Sequence, residues 1–298
     1  MSYYNRRWSL RLNNEEFISE APAFGDLADG EFPRDFRVEF EVLIDAGAWN
    51  TYLDLRIYNL KDDSVNQLVR GAPITFLAGY IGSTDIIFDG RIRNVFRDYA
   101  APSRVTRIIA RGGTIDPQRL DTTLPANSTV VDAITEVARV AELTLVIDEQ
   151  QFANETPFTR GHRMRPDALA EMRDLAQSFN LDFVVENNNL VVTKSGMPRS
   201  SEVRQISFET GMEGIPEITE VGCDVNLRLS PDIQISSQFE INSELKTFEF
   251  SNLYFVDVPE NAGSGTYISH RIRHSGDSWG GLWNTRIEGI YPGGIQRN

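Results

Sequence analysis

Apolar and polar residues alternate most clearly in residues 36–44. Apolar side chains occupy every second position there, namely Phe36, Val38, Phe40, Val42 and Ile44. Charged residues separate them, with Arg37, Glu39 and Glu41 at the intervening positions. A period of two is typical of a strand with one face in a core and the other in water. The pattern therefore predicts a half-buried strand at 36–44.

A second patterned block runs from residue 53 to residue 92. Alternation from Leu53 to Ile57 predicts a strand, and the apolar positions around 65–69 fall at helical spacing behind Asp62 and Asp63. Gly71 and Pro73 then supply helix stop signals, since glycine accepts a left-handed cap and proline cannot continue a helix. The block predicts strand, short helix, strand, turn and strand.

The remaining strands of this region complete a barrel-like prediction. Alternation returns at 74–80 and 86–92, with Gly90 as the expected bulge or bend, and a further strand is expected at about 104–111. Five or more strands within about 80 residues, with one inserted helix, favour a small closed or nearly closed β-barrel.

The pattern changes to helical spacing after Gly113. Ser128 or Thr129 is expected to cap a helix, and a strand follows at 143–147. Pro166 is expected in the first turn of a second helix, which is followed by strands at 181–185 and 190–193. Residues 195–201 have the composition of a linker. This part predicts a mixed α/β domain of two helix-then-strand units.

From Ile206 onward the chain again predicts strands. They are expected at 218–221, 225–229, 233–241, 253–258, 266–274 and 282–290. The predicted fold class is mainly β with an α/β insert: two small β-barrel domains flank a mixed α/β domain. The predicted domain boundaries are 1–115, 116–200 and 201–298.

The amino-acid composition argues against several classes of function. The 298 residues carry a formal charge of −14, which argues against a protein that grips DNA by neutralising its phosphates. The single cysteine, Cys223, excludes an internal disulfide and the multi-cysteine zinc patterns, and we expect it to be buried. No apolar run is long enough to span a bilayer, and residues 1–12 lack the apolar core of a signal peptide, so synthesis in a cytoplasm is expected.

Two groups of residues resemble the central hub protein of phage tail baseplates. The first group comprises Ile57–Leu60, Gly71, Ala78–Tyr80 and Ile87–Gly90. The second comprises His274–Asp277 and Trp283–Thr285, and it is similar to the closing hairpin of that family.

The resemblance implies a structural protein of the virion tail, assembled in the host bacterial cytoplasm. It implies that the two predicted β-barrel domains are of the tail-tube type. It implies a homotrimer that adapts a sixfold tail tube to a threefold spike, contacts other baseplate proteins, and lets DNA pass without binding it specifically. No cofactor is implied.

The candidate catalytic and metal sites lack the structural context that their chemistry requires. Residues Gly276–Gly280 match the G-x-S-x-G pattern of a hydrolase nucleophile, but a strand is expected next instead of a helix, and no histidine follows. His270 and His274 would lie about 13 Å apart along a strand, which is too far for one metal ion. We therefore assign no catalytic, cofactor or metal residue.

Arginines are concentrated between residues 91 and 111. Six arginines and one acid, Asp98, lie in this stretch. Arg91, Arg93 and Arg97 are candidate subunit-interface residues that would meet an acidic neighbour. A solvated sheet face and a nucleic-acid site are the alternatives.

Three other functions stay open at this point. A tail-associated enzyme that degrades cell wall would show hydrolase activity. A receptor-binding or carbohydrate-binding tail protein would show glycan binding. The hub of a related contractile injection system would share the architecture.

Overall fold

The computed structural model describes residues 6–12, 15–18, 36–46, 51–112, 119–243, 245–249 and 265–293. The first part contains β1 (Arg6–Leu12), β2 (Glu15–Ile18), β3 (Val38–Asp45), β4 (Tyr52–Tyr58), α1 (Asp62–Asn66), β5 (Pro73–Tyr80), β6 (Ser83–Ala100) and β7 (Ser103–Arg111). The middle part contains β8 (Thr123–Leu124), α2 (Val130–Val140), β9 (Thr144–Ile147), a 3-10 helix (Glu149–Phe152), β10 (His162–Arg163), α3 (Ala168–Phe179), β11 (Leu181–Glu186) and β12 (Asn189–Lys194). The last part contains β13 (Val203–Ile206), β14 (Met212–Thr219), β15 (Gly222–Arg228), β16 (Gln238–Ile241), β17 (Thr247–Glu249), β18 (Thr266–Asp277) and β19 (Trp283–Ile290).

Strands from both ends of the chain join in one large sheet. Its central stretch, called the band below, runs in the order β6-β7-β4-β3-β18-β19-β15-β14, and every neighbouring pair is antiparallel. The mainly β class with an α/β insert is confirmed. The two separate barrels are not confirmed, because β3 pairs with β18 and no barrel closes among the described strands.

A second layer covers one face of the band. The first half of β6 pairs with β5, and β5 pairs with β1, so the sheet continues beyond the band. Phe76 of β5 meets Phe40 of β3 edge to face at 4.9 Å between ring centroids, and Phe40 meets Trp283 at 5.2 Å. All three rings lie in the main hydrophobic core. The core therefore lies between the band and the β5-β1 layer.

The long strand β6 contains two irregularities, and neither is at Gly90. The register with β5 shifts at Ile87, and the register with β7 shifts at Arg93. Of the bulge or bend predicted at Gly90, the bulge is therefore wrong. Glycine is required there for another reason: a Cβ atom at position 90 would collide with the carbonyl oxygen of Arg111.

The middle part forms a compact unit with its own core. Helices α2 and α3 pack on the sheet β11-β12-β9, and their side chains form a second hydrophobic cluster. Val184 and Val191, from the other face of that sheet, belong to the main core. The insert is thus packed against the rest of the protein by one face of its sheet.

Local signals in the insert were only partly predictive. Thr129 caps α2 through a capping box with Asp132, which confirms one of the two expected caps. Pro166 lies before α3, whose N-cap is Asp167, so its placement in the first turn is wrong.

In the last part, one predicted strand is shorter in the structure and another lies outside the described residues. The strand expected at 233–241 is shortened to β16, because Ser236 adopts a left-handed φ of 59° that interrupts an extended chain. The strand expected at 253–258 lies outside the described residues.

Candidate assembly surfaces

The band consists of two halves with the same topology. The first half consists of β3, β4, β6 and β7, and the second half consists of β14, β15, β18 and β19. Taken in chain order, each strand of the first half corresponds to one strand of the second. The spatial order of the first half is β6-β7-β4-β3, and that of the second half is β18-β19-β15-β14. Each half therefore places its third, fourth, second and first strands in the same sequence across the sheet. The two halves are therefore related by an internal repeat of topology.

The band has two open edges along part of its length. Strand β5 accompanies β6 only as far as Arg91, so residues 93–100 have β7 on one side and no strand on the other among the described residues. At the opposite edge, β17 pairs with β14 over Glu217–Thr219 and leaves Met212–Pro216 without an outer neighbour in the described part of the chain. Phe96 and Ile215 are exposed at these edges, at 47% and 55%.

The face of the band that points away from the core is charged. Ion pairs cross from strand to strand over this face: Arg107–Asp54, Arg56–Glu39, Arg273–Glu41, Arg271–Asp45, Arg271–Glu288 and Arg286–Asp224. Most of these side chains are substantially exposed, so each pair adds at most about 1 kcal/mol to stability. The face is therefore hydrated and is not built to pack on an apolar layer.

One end of the band, called the hairpin rim below, carries two hairpin tips. The tip of the β6-β7 hairpin is Ala100–Ser103, and the tip of the β18-β19 hairpin is Asp277–Leu282. A groove of about 440 Å³ connects them and is lined by Phe36, Arg37, Tyr58, Asn59, residues 101–103 and Trp279. Both tips thus border one aromatic groove.

The Asp277–Leu282 tip is held by one carboxylate. Asp277 accepts two hydrogen bonds from the Arg37 guanidinium, at 3.1 and 2.7 Å, and one from the backbone N–H of Trp279 at 3.0 Å. Burial opposes ionisation of Asp277, but these donors leave its pKa below the usual value. Ser278 Oγ accepts a hydrogen bond from the Val38 N–H. The G-x-S-x-G match is therefore a hairpin turn followed by β19.

The predicted interface arginines lie at or near the β6 edge. Arg91 donates to the Gly71 carbonyl at 3.0 Å, and Arg97 donates to Asn66 Oδ1 at 2.7 Å. Arg93 occupies the β6 bulge, and its side chain makes no hydrogen bond or ion pair to the described residues. Their role between subunits stays a prediction.

The two titratable side chains of the last part that could suggest chemistry are buried. Nδ1 of His274 lies 2.8 Å from Thr285 Oγ1, and burial lowers the pKa of His274 to about 4. Cys223 is buried as expected, and burial raises its pKa. Within the described ranges, no three His, Cys, Asp or Glu side chains are placed to hold a metal ion. No helix in those ranges has the length and apolarity to cross a bilayer.

Comparison with known proteins decides the family. The sequence model of the baseplate hub gp41 family matches residues 53–250. The chain belongs to the baseplate hub gp41 family. The resemblance noted in the sequence is thereby confirmed, and the protein is a phage tail baseplate component of a structural family. No curated protein matches the sequence.

Solved tail proteins share the fold of this baseplate hub protein. The 43 kDa tail protein of prophage MuSo2 from Shewanella oneidensis superposes with a TM-score of 0.60 at 11% identity, over 96% of this chain and 97% of that one. A tail protein from Neisseria meningitidis MC58 gives 0.60 at 12% identity, over 97% and 98%. The E. coli c3393 protein, a component of the type VI secretion system, gives 0.59 at 10% identity, over 95% and 76%.

The residues that carried the resemblance have structural roles in this hub protein. Trp283 donates its indole N–H to the Gly79 carbonyl at 3.1 Å and so ties the β19 strand to the end of β5. A Cβ at Gly276 would collide with the rings of Phe40 and Trp283. These two segments of the sequence, about 200 residues apart, are thus in direct contact, which sequence spacing alone could not indicate.

His274 makes the stability of the hub protein depend on pH. Its folded pKa of about 4 lies below the ordinary 6.5, so the unfolded chain takes up a proton first. The neutral His274 side chain contributes fully to the free energy of unfolding above about pH 6.5. This contribution is lost as the pH falls towards 4, by up to about 3 kcal/mol. We expect His274→Gln to remove this part of the acid sensitivity. Urea unfolding of both proteins at pH 7 and 4.5 checks it, and equal losses in both would contradict it.

Proposed function

We propose that three copies of this protein form a ring that joins a sixfold tail tube to a threefold spike. The observation that carries this proposal is the internal repeat of the band. Each chain contributes two topologically equivalent halves, so three chains give six similar positions. A ring of this kind presents a nearly sixfold surface although it is only threefold symmetric.

The way the two halves join within one chain supports a head-to-tail contact between chains. The first strand of one half, β3, pairs with the third strand of the other, β18. The equivalent strands at the open edges are β14 and β6. Repeating the internal contact places β14 of one copy beside β6 of the next, which is a heterologous contact that closes into a ring.

Charge favours the same contact. Residues 91–111 contain six arginines and one acid, whereas residues 201–243 contain eight acids and two arginines. Arg93 and Arg97 lie along the β6 edge, and Glu213 lies on the free part of β14. Opposite charges on the two edges would steer them together and fix the orientation. In this proposal Arg91, Arg93 and Arg97 belong to the subunit interface.

The dimensions of such a ring suit a DNA channel. Three bands of eight strands give 24 strands. For strands parallel to the axis and about 4.8 Å apart, the circumference is about 115 Å and the diameter about 37 Å. The β5-β1 layer and the insert cover the other face of the band, so the charged face points inward. A net charge of −14 per chain would let DNA pass without holding its phosphates.

In this arrangement the predicted domains 1–115 and 201–298 form the wall, and domain 116–200 lies outside it. Other baseplate proteins and the spike are the proposed neighbours of the insert. A second candidate function is the hub of a related injection apparatus, which the shared fold of the E. coli type VI component favours.

Cysteine cross-linking tests the ring contact. The single native cysteine is buried, so introduced pairs are unambiguous. We expect the double variant Tyr99→Cys, Ile215→Cys to form disulfide-linked dimers and trimers on oxidation, and no larger species. Each single variant is the control and should stay monomeric on a denaturing gel. Absence of cross-links in the double variant, or a ladder beyond three, would argue against the trimer.

A further inference from the structure

The repeat of the band includes a bulge at the same position of each half. In the β6-β7 pair the extra residue is Arg93, and in the β18-β19 pair it is His270. Three residues beyond each bulge, the strand faces an arginine of its partner, Arg107 in β7 and Arg286 in β19. Each arginine forms an ion pair with an aspartate on the second strand of its half. The two halves can therefore be matched position by position from the bulge, although most of the matched residues differ.

The match defines the edge that β6 offers to another chain. Within one chain, β18 pairs with β3 over seven residues directly after the bulge, with Arg271–Asp277 opposite Glu39–Asp45. The corresponding seven residues of β6 are Asn94–Ala100. Among the described residues, no strand lies on the outer side of this stretch. The β6 edge is thus open over the whole length that an equivalent contact requires.

The β14 edge does not offer the same length. Its open residues, Met212–Pro216, include Gly214 with a left-handed φ of 77° and Pro216, which has no N–H to donate. The register with β15 shifts within this stretch and is regular again from Glu217. Strand β17 occupies the outer side of Glu217–Thr219. The regular C-terminal part of β14 is therefore covered, and the open part is a poor template for another strand.

Strand β17 is a weakly held cover. It comprises three residues and runs parallel to β14, and parallel pairs are slightly less stable per residue than antiparallel ones. Its central residue, Phe248, is 54% exposed, and Leu245 just before the strand is 66% exposed, so β17 buries little apolar surface. Exchange of β17 for β6 of another copy would replace three parallel pairs by an antiparallel contact of up to seven residues.

We propose that β17 is an autoinhibitory cover, which β6 of the next copy displaces when the ring closes. A short covering strand also protects an edge from pairing with unrelated chains before assembly. The inference rests on the proposed ring. It adds that the subunit contact forms by strand exchange, and that the free chain holds its own β14 edge partly closed.

A disulfide that locks β17 onto β14 tests the exchange. Glu217 and Thr247 are directly opposite in the parallel register, at a spacing that a disulfide can span, and the native Cys223 is buried. We expect the oxidised Glu217→Cys, Thr247→Cys variant to form trimers only at a concentration at least about tenfold higher than the same protein after reduction. Sedimentation velocity over a dilution series, with and without dithiothreitol, measures it. The control is Arg11→Cys, Glu16→Cys, which links β1 to β2 outside the band and should trimerise equally in both states.

Releasing β17 tests the same inference from the other side. Two successive residues of a strand direct their N–H groups to opposite sides, so Thr247→Pro, Phe248→Pro removes a donor to β14 whichever of the two supplies it. We expect this variant to trimerise at a concentration at least about threefold lower than wild type, because its β14 edge is already open. A higher concentration would show that β17 belongs to the subunit contact, and it would overturn the inference.

The outcomes separate the exchange from the ring. Equal trimerisation of the oxidised and the reduced cysteine variant overturns the exchange and leaves the ring intact. If the reduced variant fails to trimerise although wild type does, the proline variant decides in its place. A wild-type chain and a proline variant that both stay monomeric overturn the ring, and this inference with it.

Discussion

Replacing Trp283 with alanine is expected to lower the free energy of unfolding by about 3–5 kcal/mol. The indole is 3% exposed, packs on Phe40 and donates to the Gly79 carbonyl. The substitution leaves a cavity between the band and the β5-β1 layer, and it leaves that carbonyl without its partner. Urea unfolding followed by far-UV circular dichroism measures the change.

Trp279→Ala is the matched control for this prediction. Trp279 lies four residues earlier in the same hairpin but is 61% exposed, so its loss should change stability by less than about 0.5 kcal/mol. A loss below about 1 kcal/mol for Trp283→Ala would show that the contact between the two layers does not stabilise the fold.

Placing a lysine on either open edge of the band is expected to break the ring. Ile215→Lys on β14, or Phe96→Lys on β6, would place a lysine on an edge strand at each of three contacts, and lysine on an edge strand opposes pairing with another chain. We expect the trimer to dissociate at a protein concentration at least about tenfold higher than wild type. The dissociation constant of a trimer scales with the square of that concentration, so this corresponds to about 2.7 kcal/mol per trimer, or about 0.9 kcal/mol per contact. Sedimentation velocity over a dilution series measures it.

Tyr52→Lys is the control for the edge variants. Tyr52 is 47% exposed, as Phe96 is, but it lies on β4 inside the band, with β3 on one side and β7 on the other. Its trimer should dissociate as wild type does. Equal effects at Tyr52 and Ile215, or no effect at either edge, would contradict the proposed contact.

Local elements of the fold were predictable from local patterns. The alternation at 36–44 gives β3, and the capping residue Thr129 gives the start of α2, because both depend on neighbours within a few residues. The helix turn predicted at Pro166 and the bulge predicted at Gly90 were wrong, because proline and glycine occupy such positions only on average. Asp167 competes for the cap, and Gly90 is needed for a close approach by Arg111.

The pairing between distant strands was not predictable. Nothing in the alternation of β3 indicates that its partner is β18, more than 200 residues later, so two barrels were expected where one sheet forms. The shared topology of the halves could have been suspected from strand order, but the residues at equivalent positions differ. The side chains of the hairpin rim likewise come together only because these strands pair.

Averaged electron images of the purified protein, together with its mass in solution, test the central claim most directly. The proposed ring predicts a mass of three chains of 33.6 kDa and a threefold ring with an opening. Viewed along its axis, the inner wall should show nearly sixfold repetition at a diameter of about 37 Å. A monomer, a ring of another order, or a threefold particle with a filled centre would contradict the account.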